Sequence, residues 1–298
     1  MVVFFCMGLG RTCRCATTMT PTVRAIVDLR QVLMRERRGG LPHGRKRMTG
    51  TILAKRYGDY REFAVGGALT GTVRCAWLHS APIDGVAARV AVVPDGCVDL
   101  LWTESGFMIA GPDRTAAFPP MHPGATILGL RFKPGIARHL LRCDLDALTG
   151  KVVAFDDLQP GGFNAHHERL LAVDDPMKRL RLLQDIFVAE MRDLPAMRHD
   201  AAALEALCMR LPAEGLAATL GVTERTLRRI SAAEFGYGPK TLARILRLQK
   251  LLGRMDGHDS ALAELAAETG FADQAHMNRD VLSLTSLTPG EILRQMRG

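Results

Sequence analysis

The sequence contains no apolar run of the roughly 18 residues that a membrane-crossing helix needs, which excludes a helical integral membrane protein. It has no paired-cysteine framework either. Its seven cysteines (Cys6, Cys13, Cys15, Cys75, Cys97, Cys143, Cys208) are odd in number and mostly scattered, so reduced thiols are expected rather than disulfides. Cys6, Cys13 and Cys15 find no second Cys or His pair to complete a tetrahedral set, none of the nine histidines forms an HxH pair, and no metal or cofactor is expected. A P-loop, a GxSxG elbow and a GxGxxG fingerprint are all missing, which removes the commonest nucleotide and acyl-transfer chemistries. The opening VVFFCMGLG is too short for a secretory signal and lacks the basic residues that precede one, so a cytoplasmic location is expected.

What the chain has is 298 residues, 47% of them hydrophobic, enough for two domains with separate cores. Its net charge of +8 suggests a polyanion partner until the charge is located. Residues 1–47 hold ten Lys or Arg against Asp28 and Glu36, so the rest of the chain is balanced. Three readings of this leader stay open: a basic tail that touches nucleic acid, a flexible extension, or a translation start at Met48.

Between Leu69 and Phe132 short β-prone runs alternate with Gly and Pro: GTVRCAWLHS, ARVAVVPDGCVDLLWTES, FMIAG and ATILGLRF. In the last, Thr126, Leu128, Leu130 and Phe132 alternate with Ile127, Gly129 and Arg131, which predicts one apolar face with Arg131 on the other. Lys133-Pro-Gly ends this strand and leads into a helix through about Leu141, and Asp175-Pro176 starts a longer one. From about Met197 Leu and Ala dominate and the pattern becomes helical throughout. The expectation is an α+β chain. A basic leader (1–47) precedes a mixed, β-rich, barrel-like domain with helices (48–195), and an all-α domain follows (196–298), with the junction near Leu194–His199.

LAATLGVTERTLRRI, Leu216–Ile230, has small Ala217 and Ala218 on a short helix, Gly221 at its end and Thr223 as cap of the next helix. Ala allows close helix crossing and Gly takes the left-handed turn, the requirements of a helix-turn-helix. Leu227 and Ile230 face inward and leave Arg225, Arg228 and Arg229 outward, suited to guanine edges in a major groove. The arrangement recurs in LAELAAETGFADQAHMNRDV, where Ala266 matches Ala217 and Gly270 matches Gly221. Aligning the caps Thr223 and Asp273 superposes Leu227 on Met277 and Ser231 on Val281, and leaves Gln274, His276, Asn278 and Arg279 exposed. Pro239–Met255 between the units reads as a helix of about 25 Å. Its stripe of Lys240, Arg244, Arg247, Lys250 and Arg254 lies opposite Leu242, Ile245, Leu246 and Leu252. Thr288-Pro-Gly-Glu291 is a capping box that opens a terminal helix. Residues 216–298 carry only 11 basic and 9 acidic groups, so placement rather than net charge makes the case for DNA.

These residues resemble the AraC family of bacterial transcription regulators. The resemblance spans about Ala201–Arg297 and rests on TLRRI, GYGPKTLARILRLQK, GFADQAHMNRDV and SLTPGEIL in that order. It implies two recognition helices, about 223–234 and 273–284, in successive major grooves. Base contacts would come from Arg225, Arg228, Arg229, Gln274, His276 and Arg279; Thr223, Lys240, Arg244 and Asn278 would lie on the DNA backbone. Three positions depart from the family pattern: Ser231 replaces a usual Phe, Gly238 a usual Ser or Thr, and Ser286 a usual Gly. VVPDGCVDLLW, the Gly111-Pro112 pair and LGLRFKPGIARHLL resemble an uncharacterised domain that accompanies such regulators, over about Arg61–Leu158. Implied partners are double-stranded DNA and RNA polymerase, with a small-molecule effector or a second copy of the chain as input and no membrane.

The front domain leaves other chemistry open. Asp95 and Asp99 flank a turn at Gly96-Cys97, as an acid–base pair or as turn residues bonded to backbone. Asp99, Arg114 and Arg131 line a polar ligand pocket or form surface ion pairs. His166 and His167 read better as a solvated pair than as metal ligands, and Cys97 as a buried thiol rather than a redox sensor. The rival reading of the whole chain is an enzyme or scaffold whose helical tail binds protein.

Overall fold

The computed structural model describes residues 49–84, 88–159, 163–191, 199–208, 210–211, 213–256 and 261–297, all inside one compact unit, Lys46–Gly298. The basic leader with Cys6, Cys13 and Cys15 lies outside the described residues, as does 192–198, where the sequence puts the domain junction.

The β-prone runs form the expected strands. Six of them make one antiparallel sheet: β2 (Asp59–Phe63), β3 (Val73–Ser80), β5 (Asp99–Thr103), β6 (Gly106–Ala110), β7 (Thr126–Phe132) and β8 (Val152–Ala154), in the order β2-β3-β7-β5-β6-β8. Among the described residues β2 and β8 are the edges of this sheet. β1 (Thr49–Leu53) and β4 (Ala88–Ala91) form a separate parallel pair. Register in the large sheet follows hydrophobic alternation, because a one-residue slip would turn every apolar side chain outward. One row across it reads Leu78, Leu128, Trp102 and Phe107, and the next Ala76, Leu130, Leu100 and Ile109, all buried.

That face is covered by the front domain's helices: α1 (Ala137–Leu141), α2 (Phe155–Leu158), α3 (His167–Leu171) and α4 (Pro176–Glu190). α4 begins as the sequence predicts, with Pro176 in its first turn and the Asp175 carboxylate accepting from the Lys178 amide at 2.7 Å. Its buried Leu180, Leu183, Ile186 and Phe187 pack onto the sheet, Phe187 5.6 Å from Phe132 between ring centres. His166 and His167 are not a solvated pair. The first pairs with Glu190 at 2.8 Å, and the second accepts from the Trp102 indole at 3.1 Å. Among the described residues no group of three His, Cys, Asp or Glu is placed to hold a metal, and no helix is long and apolar enough to cross a membrane.

A second core is helical: α5 (His199–Cys208), α6 (Ala213–Thr219), α7 (Glu224–Phe235), α8 (Pro239–Met255), α9 (Leu262–Thr269), α10 (Gln274–Thr285) and α11 (Pro289–Arg297). Leu53 of β1 belongs to this core. β1 is bonded to α11 by both ends of one amide: the Leu53 amide donates to Gln295 Oε1, and Gln295 Nε2 donates to the Thr51 carbonyl, each at 2.8 Å.

On the other face of the large sheet the Trp77 ring lies across Gly129, its cross-strand partner. A Cβ on Gly129 would sit 2.1 Å from the indole Cε2. Gly129→Ala should therefore destabilise the chain by about 2–3 kcal/mol or more through overpacking, seen as a lowered urea midpoint with unchanged slope. A midpoint equal to that of the wild type would show that the ring shifts freely.

Candidate nucleic-acid interface

Both helix-turn-helix units are built from the same local physics. In the first, Leu216 and Ala217 of α6 are buried, and Gly221 turns the chain at φ +66°. The Thr223 hydroxyl then accepts from the Thr226 amide at 3.2 Å, so α7 starts on a side-chain cap. In the second, Leu265 and Ala266 of α9 are buried, Gly270 turns at φ +86°, and the Asp273 carboxylate accepts from the His276 amide at 2.6 Å to start α10. Leu227 and Met277 occupy equivalent buried positions, as do Ser231 and Val281.

The outward faces differ in how free their side chains are. Arg225, Arg228 and Arg229 are exposed on α7; Arg228 pairs with Glu224 one turn earlier at 3.3 Å, an exposed contact easily exchanged for another. On α10, Gln274, Ala275, Asn278 and Arg279 are exposed. His276 is half-buried: its ring meets Phe271 edge-on at 5.5 Å, Nδ1 accepts from the Ala272 amide at 3.3 Å, and Nε2 lies 3.5 Å from Asp280.

α8 spans Pro239–Met255 as the periodicity predicts, although its buried line is Leu242, Ile245, Leu248, Leu251 and Met255, with Leu246 and Leu252 half-buried. Its basic stripe is mostly consumed inside the domain. Arg244 reaches Asp280 at 3.0 Å and Arg247 the same carboxylate at 4.0 Å, while Lys250 donates to the Glu268 carbonyl and Arg254 pairs with the Glu268 carboxylate. Lys240 is exposed at the start of α8, and Thr223 is exposed at the start of α7. Asp280, which no local sequence signal singles out, thus ties α8 to α10, with only 14% of its side chain exposed.

One of the three departures from the expected pattern has a visible solution. The buried Ser231 hydroxyl donates to the Tyr237 carbonyl at 2.7 Å, closing the turn between α7 and α8. Ser286 holds φ +60° after α10, a left-handed conformation that favours Gly. Gly238 caps α8 with no side-chain bond. The Thr288–Glu291 capping box forms as expected, the Thr288 amide donating to Glu291 at 2.7 Å and the Glu291 amide to Thr288 Oγ1 at 3.3 Å.

The front-domain candidates do not form one pocket. Arg131 chelates Asp99 at 3.1 and 3.2 Å and also contacts Asp95 at 3.0 Å and Glu62 at 3.2 Å. Burial works against its charge, yet Asp99 and Asp95 more than compensate and hold its pKa well above the ordinary range. Burial also pushes Asp99 upward, against the pull of Arg131. Asp95 accepts from the Cys97 amide at 2.9 Å, so the turn reading of this carboxylate fits the geometry. The Cys97 thiol is buried, and burial raises its pKa well above the usual value, away from thiolate reactivity. Arg114 lies elsewhere, its Nη2 donating to the Gly236 carbonyl at the end of α7 at 3.4 Å.

Asp280→Ala leaves Arg244, Arg247 and His276 without their shared acceptor. The expected cost is about 2 kcal/mol, between exposed and buried ion-pair values, read from urea unfolding of the full chain. A loss under about 0.5 kcal/mol would mean that the apolar ridge of α8 alone fixes the second unit.

Residues 216–295 match the family described as a helix-turn-helix domain, and residues 61–154 match a domain of unknown function (DUF6597). No curated protein matches the chain. Among solved structures, a variant of ToxT from Vibrio cholerae is 10% identical, with 76% of this chain and 98% of that one aligned at a TM-score of 0.44. Unsaturated fatty acid-bound ToxT from the same organism is 12% identical over 74% of this chain and 94% of that one, at 0.40. A probable AraC family transcriptional regulator from Rhodopseudomonas palustris is 26% identical over 32% of this chain and 91% of that one, at 0.29. The chain thus joins an N-terminal domain of unknown function to a C-terminal helix-turn-helix domain.

Proposed function

We propose that this chain regulates transcription by placing α7 and α10 in successive major grooves of one operator, with the front domain biasing how they are presented. The observation that carries this reading is the paired exposure of hydrogen-bonding side chains at the starts of two equivalent, capped helices. Arg225, Arg228 and Arg229 address one half-site, and Gln274, His276 and Arg279 the other, where His276 enters as a ring already oriented by Phe271 and Asp280. Thr223, Lys240 and Asn278 contact phosphates. Arg244 is turned to Asp280, so its contribution to the DNA backbone is through holding α10 in place. RNA polymerase is the downstream partner, and a small effector or a second copy of the chain supplies the input through the front domain.

Arg228→Ala should lose about 1–3 kcal/mol at the selected operator and relax preference at one base position. Lys240→Ala should weaken selected and random duplex alike and flatten the salt dependence by about one unit of slope. Fluorescence anisotropy over a salt series separates the two. Equal losses for Arg228→Ala on both duplexes would remove it from the base-reading set. A full chain that binds no duplex at low salt would leave the protein-binding scaffold as the better reading.

A further inference from the structure

The two units run in register from their caps onward, fifty residues apart, through Pro239 and Pro289. In that register Glu234 of α7 stands where α10 has Leu284, and both are buried, Glu234 with 3% of its side chain exposed. A carboxylate at a position filled elsewhere by an apolar side chain is costly unless it is paired. Its partners come from the front domain. Arg138 Nη1 of α1 contacts Glu234 Oε1 at 2.6 Å, and His139 Nε2 lies 3.3 Å from Oε2.

Two residues further on, the Gly236 carbonyl accepts from Thr149 Oγ1 at 2.8 Å and from Arg114. A Cβ on Gly236 would come within 2.6 Å of Pro112 and Thr149, so the approach requires glycine. The Ala116 amide donates to the carbonyl of Leu284, near the end of α10, at 2.7 Å. One short segment, Pro112–Ala116, therefore touches the C-terminal ends of both recognition helices. It is fastened at each side to its own domain, by Gly150 donating to the Pro112 carbonyl at 3.0 Å and by reciprocal bonds between Ala117 and Val92 at 2.9 Å. The base-facing starts of α7 and α10 stay exposed, so the contact holds the helices without covering them.

From this arrangement we propose that the front domain sets the spacing between the two half-sites, gripping the first recognition helix through Glu234 and the second through the Leu284 carbonyl. This inference rests on the DNA-binding reading above. Half-site spacing is a property of helix separation. A base pair inserted between the half-sites moves one by about 3.4 Å and rotates it by about a tenth of a turn, which a rigid pair of helices cannot follow.

The test uses the full chain and an operator that it selects from random duplex, re-synthesised with one base pair inserted or removed between the half-sites. Wild type should lose about tenfold or more in affinity on either altered duplex, the usual scale of one defective contact. Arg138→Ala/His139→Ala and Glu234→Leu should bind the original operator within about threefold of wild type and lose less than about threefold on the altered duplexes. Thr149→Val, which removes one donor to Gly236, should fall between. If Glu234→Leu fails to fold, the Arg138/His139 pair, both partly exposed on α1, decides the question. A spacing penalty in every variant equal to that of wild type overturns the inference and leaves the DNA-binding reading intact. A wild-type chain without affinity for any duplex removes both.

Discussion

The helical part depends on the apolar ridge of α8. Leu242, Ile245, Leu248, Leu251 and Met255 are all buried, and both helix-turn-helix units pack against that ridge. At about 1.5–3 kcal/mol per fully buried large apolar side chain, a ridge of this length fixes the position of a helix better than any surface ion pair. It does not fix rotation equally on both sides. Toward α10 the ridge is supplemented by Arg244 and Arg247 meeting Asp280. Toward α7 the corresponding reinforcement is a serine hydroxyl on a carbonyl and a carboxylate paired with Arg138 of the front domain.

The front domain follows a different constraint, the two apolar rows that run across its sheet. Trp102 and Leu128, or Leu100 and Leu130, meet only in one register, and α4 closes over them. The opposite face is polar and aromatic, with Arg131 at its centre among Glu62, Asp95 and Asp99. Such a cluster leaves the guanidinium little capacity for a ligand, and it stiffens the strands that carry it. Effector binding to this domain, if it follows the proposal above, has to use some other surface.

Much of this was legible in the residues. The alternation at Thr126–Phe132 places Arg131 opposite the core, and the Asp175-Pro176, Thr223, Asp273 and Thr288-Pro-Gly-Glu291 signals start helices where expected, because each is local: a cap or a proline acts within one turn. Long-range polar pairing was not legible. Arg244, Arg247, Lys250 and Arg254 form a regular stripe on a helical wheel, and only the packed domain brings Asp280 and Glu268 to them. The sheet order likewise follows from which strands meet, which β-propensity does not specify. One distant contact did leave a trace: aligning the two units by their caps sets Glu234 against Leu284, a charge at an apolar position in a repeat. The identity of its partners, Arg138 and His139, could come only from the folded chain.

Glu234 also bears on how freely such chains can be recombined. A helix-turn-helix domain that carries a carboxylate at this position brings with it a demand for an arginine and a histidine at a defined place on its neighbour. Grafted behind a front domain without them, it would bury an unanswered charge or turn that face to water, and the graft would hold α7 loosely. Exchange between relatives then requires residues 138, 139 and 234 to travel together, along with the groups that meet the Gly236 and Leu284 carbonyls.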